Sequence, residues 1–135
     1  MTVAAILKRN GFQVAVVAPA DRIRDVVGVV SAERGDAALV VDPSGQWLGI
    51  IAEHDIVKSL AANGAVALDM TAGQLVTRAV RSVTPHASLS EAMRIMIAGQ
   101  ARHLAVIERG ECCGLISLSD VVRARVIEEQ AVLAA

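Results

Sequence analysis

The chain has 135 residues, 54% of them apolar, and its 13 basic and 14 acidic residues leave a formal charge of −1. That length holds one compact domain or two half-sized units sharing a core; the near-neutral balance lacks the positive surplus that a nucleic-acid backbone requires, and no apolar run reaches the roughly 18 residues of a membrane-spanning helix. One Trp, one Phe and no Tyr argue against a face that stacks bases on aromatic rings, whereas abundant Val, Ala, Ile and Leu suit buried strands covered by helices.

Residues 1–12 read as a short amphipathic helix over Val3–Arg9, with Thr2 as its cap and Gly11 as its stop. No cleavage-site pattern accompanies it, so the protein is expected in the cytosol. Residues 13–63 form a first repeat. A short strand over 13–17 ends at Pro19, and Asp21 caps a helix that turns Ile23, Val26, Val27 and Val30 inward. Residues 37–41 are a buried strand, the Pro43-Ser44-Gly45 turn leads to a strand over 48–52, and Asp55 heads a helix that runs to about residue 63.

Residues 64–80 are a linker of small and polar residues with one helical turn. The order then begins again in residues 81–127. A strand over 81–84 is broken by Pro85, and Ser88-Leu89-Ser90-Glu91 is a capping box opening a helix with Leu89, Ala92, Met93 and Met96 inward. Strands over 103–107 and 113–117 flank Arg109-Gly110-Glu111, and Asp120 heads a last helix that continues through 128–135.

Residues 19–42 align with 85–108 at an offset of 66, and 49–57 with 114–122 at 65, after a one-residue deletion in the turn. Seven of these 33 positions are identical: Pro19/Pro85, Ala32/Ala98, Val40/Val106, Gly49/Gly114, Ile51/Ile116, Asp55/Asp120 and Val57/Val122. Inward positions also keep their character, as in Ile23/Leu89, Val30/Met96 and Val41/Ile107. The predicted fold is therefore α+β, with two tandem βαββα repeats, a short N-terminal helix and an extended C-terminal one. Each repeat has one uncovered sheet face, and packing sheet to sheet about a pseudo-twofold axis buries both, leaving clefts between them.

The informative stretches are Gly49-Ile50-Ile51-Ala52-Glu53-His54-Asp55 and Gly114-Leu115-Ile116-Ser117-Leu118-Ser119-Asp120. In each, a strand ends just before a helix whose first turn bears a carboxylate. The free amides and the positive end of the helix dipole stabilise such a group, which can cap the helix or accept hydrogen bonds from the two hydroxyls of a ribose. Ser117 adds a hydroxyl for the same sugar. Arg34, Arg102 and His103 lie next to strands bordering the clefts and are candidate phosphate contacts.

The two cysteines are adjacent, so a disulfide between them is implausible, and His103 is the only nearby further metal ligand, so no metal site is expected. Cys113 is expected to pack inward and Cys112 to face out.

The chain resembles the CBS (cystathionine β-synthase-type) domain pair, or Bateman module, over roughly residues 13 to 127. The resemblance rests on 37–42 before Gly49-Ile50-Ile51 and Asp55, and on Arg102-His103-Leu104-Ala105-Val106-Ile107 before Gly114 through Asp120. It implies paired repeats that frequently dimerise, with an adenosyl ligand (AMP, ADP, ATP, NAD or S-adenosylmethionine) between them. The family's Gly-x-Ile-Ser/Thr-x-x-Asp motif implies that Ser117 and Asp120 hold one ribose while the base lies against Val16, Val17, Gly35, Asp36 and Ala37, with Ile116 also lining the cleft. The equivalent cleft would use Asp55 with Val83, Thr84, Arg102 and His103. There Ala52 stands where the motif has Ser or Thr, so weaker binding is expected.

No nucleophile elbow, phosphate-cradling glycine loop or metal-ligand cluster points to catalysis. The expected function is a non-catalytic regulatory module that signals to a protein target. The alternative is a ligand-independent dimerisation module, because Val122, Val126 and Ile127 interleave with Arg123, Arg125 and Glu128 on the last helix. Either way a homodimer is expected.

Overall fold

The computed structural model describes residues 1–10, 14–32 and 37–134. The predicted helix stop Gly11, the start of the first predicted strand at Gln13 and the candidate contacts Arg34, Gly35 and Asp36 lie outside the described residues. The chain divides into two compact units, one taking in the described residues of Val14–Val80, the other those of Met1–Gln13 and Arg81–Ala135.

In the first of these units β1 (Val16–Val17) pairs parallel with β2 (Ala37–Val41), which pairs antiparallel with β3 (Trp47–Ala52). Helices α2 (Ile23–Ala32) and α3 (Glu53–Asn63) cover one face. Their apolar spacing places Ile23, Val26, Val30 and Ile56 with Val17, Val40 and Ile51 in one core. Val27 is 36% exposed rather than inward, because the stripe set by Ile23, Val26 and Val30 leaves it on the helix flank. Asp21 does not cap α2. Its carboxylate accepts from Ala18 N–H at 2.9 Å, closing the turn at Pro19, and the Ile23 amide goes to the Met70 carbonyl at 2.8 Å.

The linker holds two helical turns where one was expected, a 3-10 segment Gly64–Asp69 and α4 (Ala72–Leu75), the latter with a reciprocal Thr71–Gln74 capping box. After α4, still within the linker, Thr77 pairs with Ile50 along the edge of β3, N–H to carbonyl at 2.7 and 3.0 Å.

The second unit repeats the pattern. β4 (Ser82–Val83) runs parallel to β5 (His103–Glu108), which pairs antiparallel with β6 (Glu111–Ser117), under α5 (Leu89–Gly99) and α6 (Leu118–Ala134). The duplication extends to register. Val16 faces Leu39 as Ser82 faces Ala105, Val40 faces Gly49 as Val106 faces Gly114, and a bulge follows Val40 and Val106 alike.

That bulge corrects the cysteine assignment. Ile107 faces Cys112 and Val106 faces Gly114, so Cys113 is the extra residue and is exposed, while Cys112 is half-buried. Burial pushes both thiols above their ordinary pKa, Cys113 with the charge of Glu108 as a further cause.

The N-terminal helix α1 (Val3–Arg9) belongs to the second unit. Val3, Ile6 and Leu7 share its core with Leu89, Met96, Leu104, Val106, Ile116 and Val121. Thr2 makes no side-chain cap. The first helical amides, of Val3 and Ala4, donate instead to the carbonyls of Ala87 and Pro85, both at 2.9 Å, so tertiary packing satisfies donors that a cap would otherwise take. Among the described residues no helix is long and apolar enough to cross a membrane.

Candidate functional site

β6 passes into α6 without an intervening residue, which makes Ser117 the residue before the helix and Asp120 its third. The Ser117 amide donates to Asp120 Oδ2 at 2.9 Å, and the Asp120 amide donates to Ser117 Oγ at 3.1 Å. This is a reciprocal capping box, so the capping role weighed from sequence is realised. The box leaves Asp120 Oδ1, facing Arg123 Nη1 at 3.6 Å, and the Ser117 hydroxyl proton for other partners. The Asp120 side chain is 6% exposed and stands in the first turn of α6.

The equivalent junction is built differently. The Ala52 amide donates to Asp55 Oδ2 at 2.8 Å, matching the first bond, but Ala52 has no oxygen to return it. The hydroxyl comes from Thr77, whose Oγ1 donates to Asp55 Oδ1 at 3.3 Å, and His54 Nε2 stands 3.3 Å from the same oxygen. Thr77 was missed from sequence, where 64–80 read only as a linker. The available signal was the β-branched pair Val76-Thr77, which suits an edge strand.

The other predicted residues fall into three groups. Arg102 and His103 are brought to the Ser117 junction: His103 faces Ser117 across the ladder, and the Leu118 amide donates to the Arg102 carbonyl at 2.8 Å. Ala37 faces Ala52 in the same way, beside the Asp55 junction. Val17, Val83 and Ile116 are core side chains of their own units, while Val16 and Thr84 are exposed. Among the described residues no group of three His, Cys, Asp or Glu side chains could hold a metal ion.

The family model of the CBS domain matches residues 72–127. A solved CBS-domain-containing protein from Agrobacterium tumefaciens is 35% identical, with a TM-score of 0.86 and coverage of 92% of each chain. The CBS domain-containing protein CBSX3, mitochondrial, of Arabidopsis thaliana is 31% identical over 114 residues, which make up 82% of this chain and 55% of that one. The chain thus spans about half the length of this relative. A CBS domain protein from Pyrobaculum aerophilum, solved in complex with AMP, shares the fold at a TM-score of 0.79 with 22% identity, over 95% of this chain and 97% of that one.

Proposed function

This chain belongs to the CBS-domain family, and from that premise we propose that it is a non-catalytic regulatory module whose ligand is an adenine nucleotide. The observation that carries the proposal is the strand-to-helix junction, built twice, that fixes a carboxylate in the first turn of a helix. Asp120 Oδ1 accepts from a ribose hydroxyl and the Ser117 hydroxyl completes the contact. Arg102 and His103, beside Ser117 in register, meet the phosphates, and exposed Thr84 lies on the same unit for the base. Asp55, with the Thr77 hydroxyl, serves a second and weaker site. AMP is the first candidate, since a fold relative carries it; ADP, ATP, NAD and S-adenosylmethionine share the adenosyl group. Binding leaves the nucleotide unchanged, and its output passes to a protein target.

A thermal-shift panel of these five compounds, on protein purified without nucleotide, tests the reading. A specific ligand at 100 times its Kd stabilises by about 2.7 kcal/mol. A panel without any shift overturns it. The second reading, a ligand-independent homodimer, is favoured by Leu118, Val122 and Val126, which are 42%, 48% and 46% exposed on α6. Light scattering showing a dimer together with a silent panel would select it.

A further inference from the structure

Helix α1 packs against the same stretch of chain that forms the Ser117–Asp120 junction. Leu7 lies directly on β6: a Cβ built on Gly114, three residues before Ser117, would come within 2.7 Å of Leu7 Cδ2. Further along, α1 and α6 enclose a small cavity of about 10 Å³, walled by Ile6, Arg9 and Asn10 from one side and by Asp120, Arg123 and Ala124 from the other, with Met1 at its rim. That is room for about one water. Asp120 therefore belongs to two structures at once. One carboxylate oxygen holds the junction through the Ser117 amide, and the residue, together with Arg123, also lines the α1 seat.

We propose that docking of α1 is thermodynamically coupled to the state of the Ser117–Asp120 junction, so that α1 reports whether Asp120 is engaged. The physical basis is the shared wall. When α1 lifts, water reaches the Asp120 side chain, which is 6% exposed while α1 is seated, and the capping box loses its cover. A ligand that bonds to Asp120 needs the ordered junction, and the ordered junction is the one on which α1 is seated. Coupling between two such equilibria is reciprocal: the factor by which the ligand tightens α1 equals the factor by which seated α1 tightens the ligand. The inference rests on the nucleotide reading only for the identity of the ligand.

Hydrogen exchange of the full chain tests it in two arms. In the first, AMP binding is measured by calorimetry, and exchange of the amides of residues 6–10 is followed with and without saturating AMP. Slowing by about fivefold or more is expected, since allosteric couplings usually begin near that factor. AMP that binds while α1 exchange stays unchanged overturns the coupling. The second arm uses no nucleotide and compares the parent with Asp120→Asn and Arg123→Met, taking α5 peptides as the reference for global opening. Faster exchange in α1 than in α5 supports the coupling, and α1 rates equal to the parent's in both variants overturn it. If calorimetry detects no binding, the nucleotide reading fails and the second arm alone decides the coupling. Should Asp120→Asn unfold the protein, Arg123→Met provides the same comparison.

Discussion

At the junction in the second unit Asp120 exchanges bonds with Ser117 three residues away, whereas in the first unit Asp55 takes its hydroxyl from Thr77, 22 residues along the chain. The equivalent glycines diverge in the same manner. A Cβ on Gly49 would lie 2.2 Å from the Thr77 carbonyl oxygen, while a Cβ on Gly114 would meet the flexible end of Leu7. One repeat is thus closed by the linker that leaves it, the other by a helix from the opposite end of the chain. Duplication preserves the polar geometry at the junction, but what covers it depends on which segment each unit has at hand. A lost hydroxyl can be replaced by any segment that passes within reach.

The comparison is tested most severely at the glycines. Gly49→Ala forces a methyl into a backbone carbonyl at a φ of 151°, so a cost of about 3 kcal/mol is expected, at the upper end for overpacking. Gly114→Ala displaces only a side-chain end and should cost about 1 kcal/mol. Urea denaturation of both variants measures the difference, and the reverse order would mean that Leu7, rather than Thr77, is the immovable neighbour.

Ligand affinity comes next. Asp120→Ala removes a charged hydrogen-bond partner worth roughly 1.5–3 kcal/mol, hence a tenfold or greater loss of affinity for AMP by calorimetry. Asp55→Ala is expected to cost less at the tighter site. The melting temperature without ligand must accompany both, since each carboxylate also caps a helix. If Asp55→Ala is the more damaging, the two sites have been ranked in the wrong order.

A smaller effect comes from making the junctions alike. Ala52→Ser supplies the oxygen that Ser117 provides in the other unit, and a gain of about 1 kcal/mol in stability is expected from the restored cap. Thr77→Val in that background should then matter less than in the parent, because Asp55 no longer depends on the distant hydroxyl alone. A double-mutant cycle by thermal denaturation reads this dependence, and strict additivity would show that the two hydroxyls do not share a role.

The smallest effect lies in the hairpin turns. Asp42 accepts from the Ser44 hydroxyl and from the amides of Ser44 and Gln46, which hold its carboxyl below the ordinary pKa, the Ser44 hydroxyl foremost. Because the folded pKa is depressed, this contribution is present above the unfolded value of about 3.9 and is lost as pH falls through the folded one. The matching turn, Arg109-Gly110, has positive φ at both residues, 54° and 79°, and the carboxylate aligned with Asp42, that of Glu108, stands 3.7 Å from His86 Nε2. The melting-temperature gap between the parent and Asp42→Ala is expected to narrow below about pH 4, and a gap constant with pH would show that the charge is irrelevant to the turn.

Much of this architecture was legible in the residues. The spacing of Ile23, Val26 and Val30, and of Leu89, Ala92 and Met96, is local information, because a helix period of 3.6 sets which side chains share a face. The offset of 66 between repeats recurs in the strand register itself, and the Asp55 and Asp120 junctions lie where a strand gives way to a helix cap. Other features depended on partners remote in sequence. Thr77 has no hydroxyl counterpart in the repeat alignment, and only the docking of 76–78 along β3 brings it to Asp55. The bulge after Val106 reversed the two cysteines, since one extra residue in a strand exchanges its faces. Periodicity showed that α1 has an apolar side, but not which surface would cover it. Tertiary structure decided that, by bringing Val3, Ile6 and Leu7 into the core of the second unit, because burying apolar area is non-directional and the choice of surface falls to shape and chain connectivity.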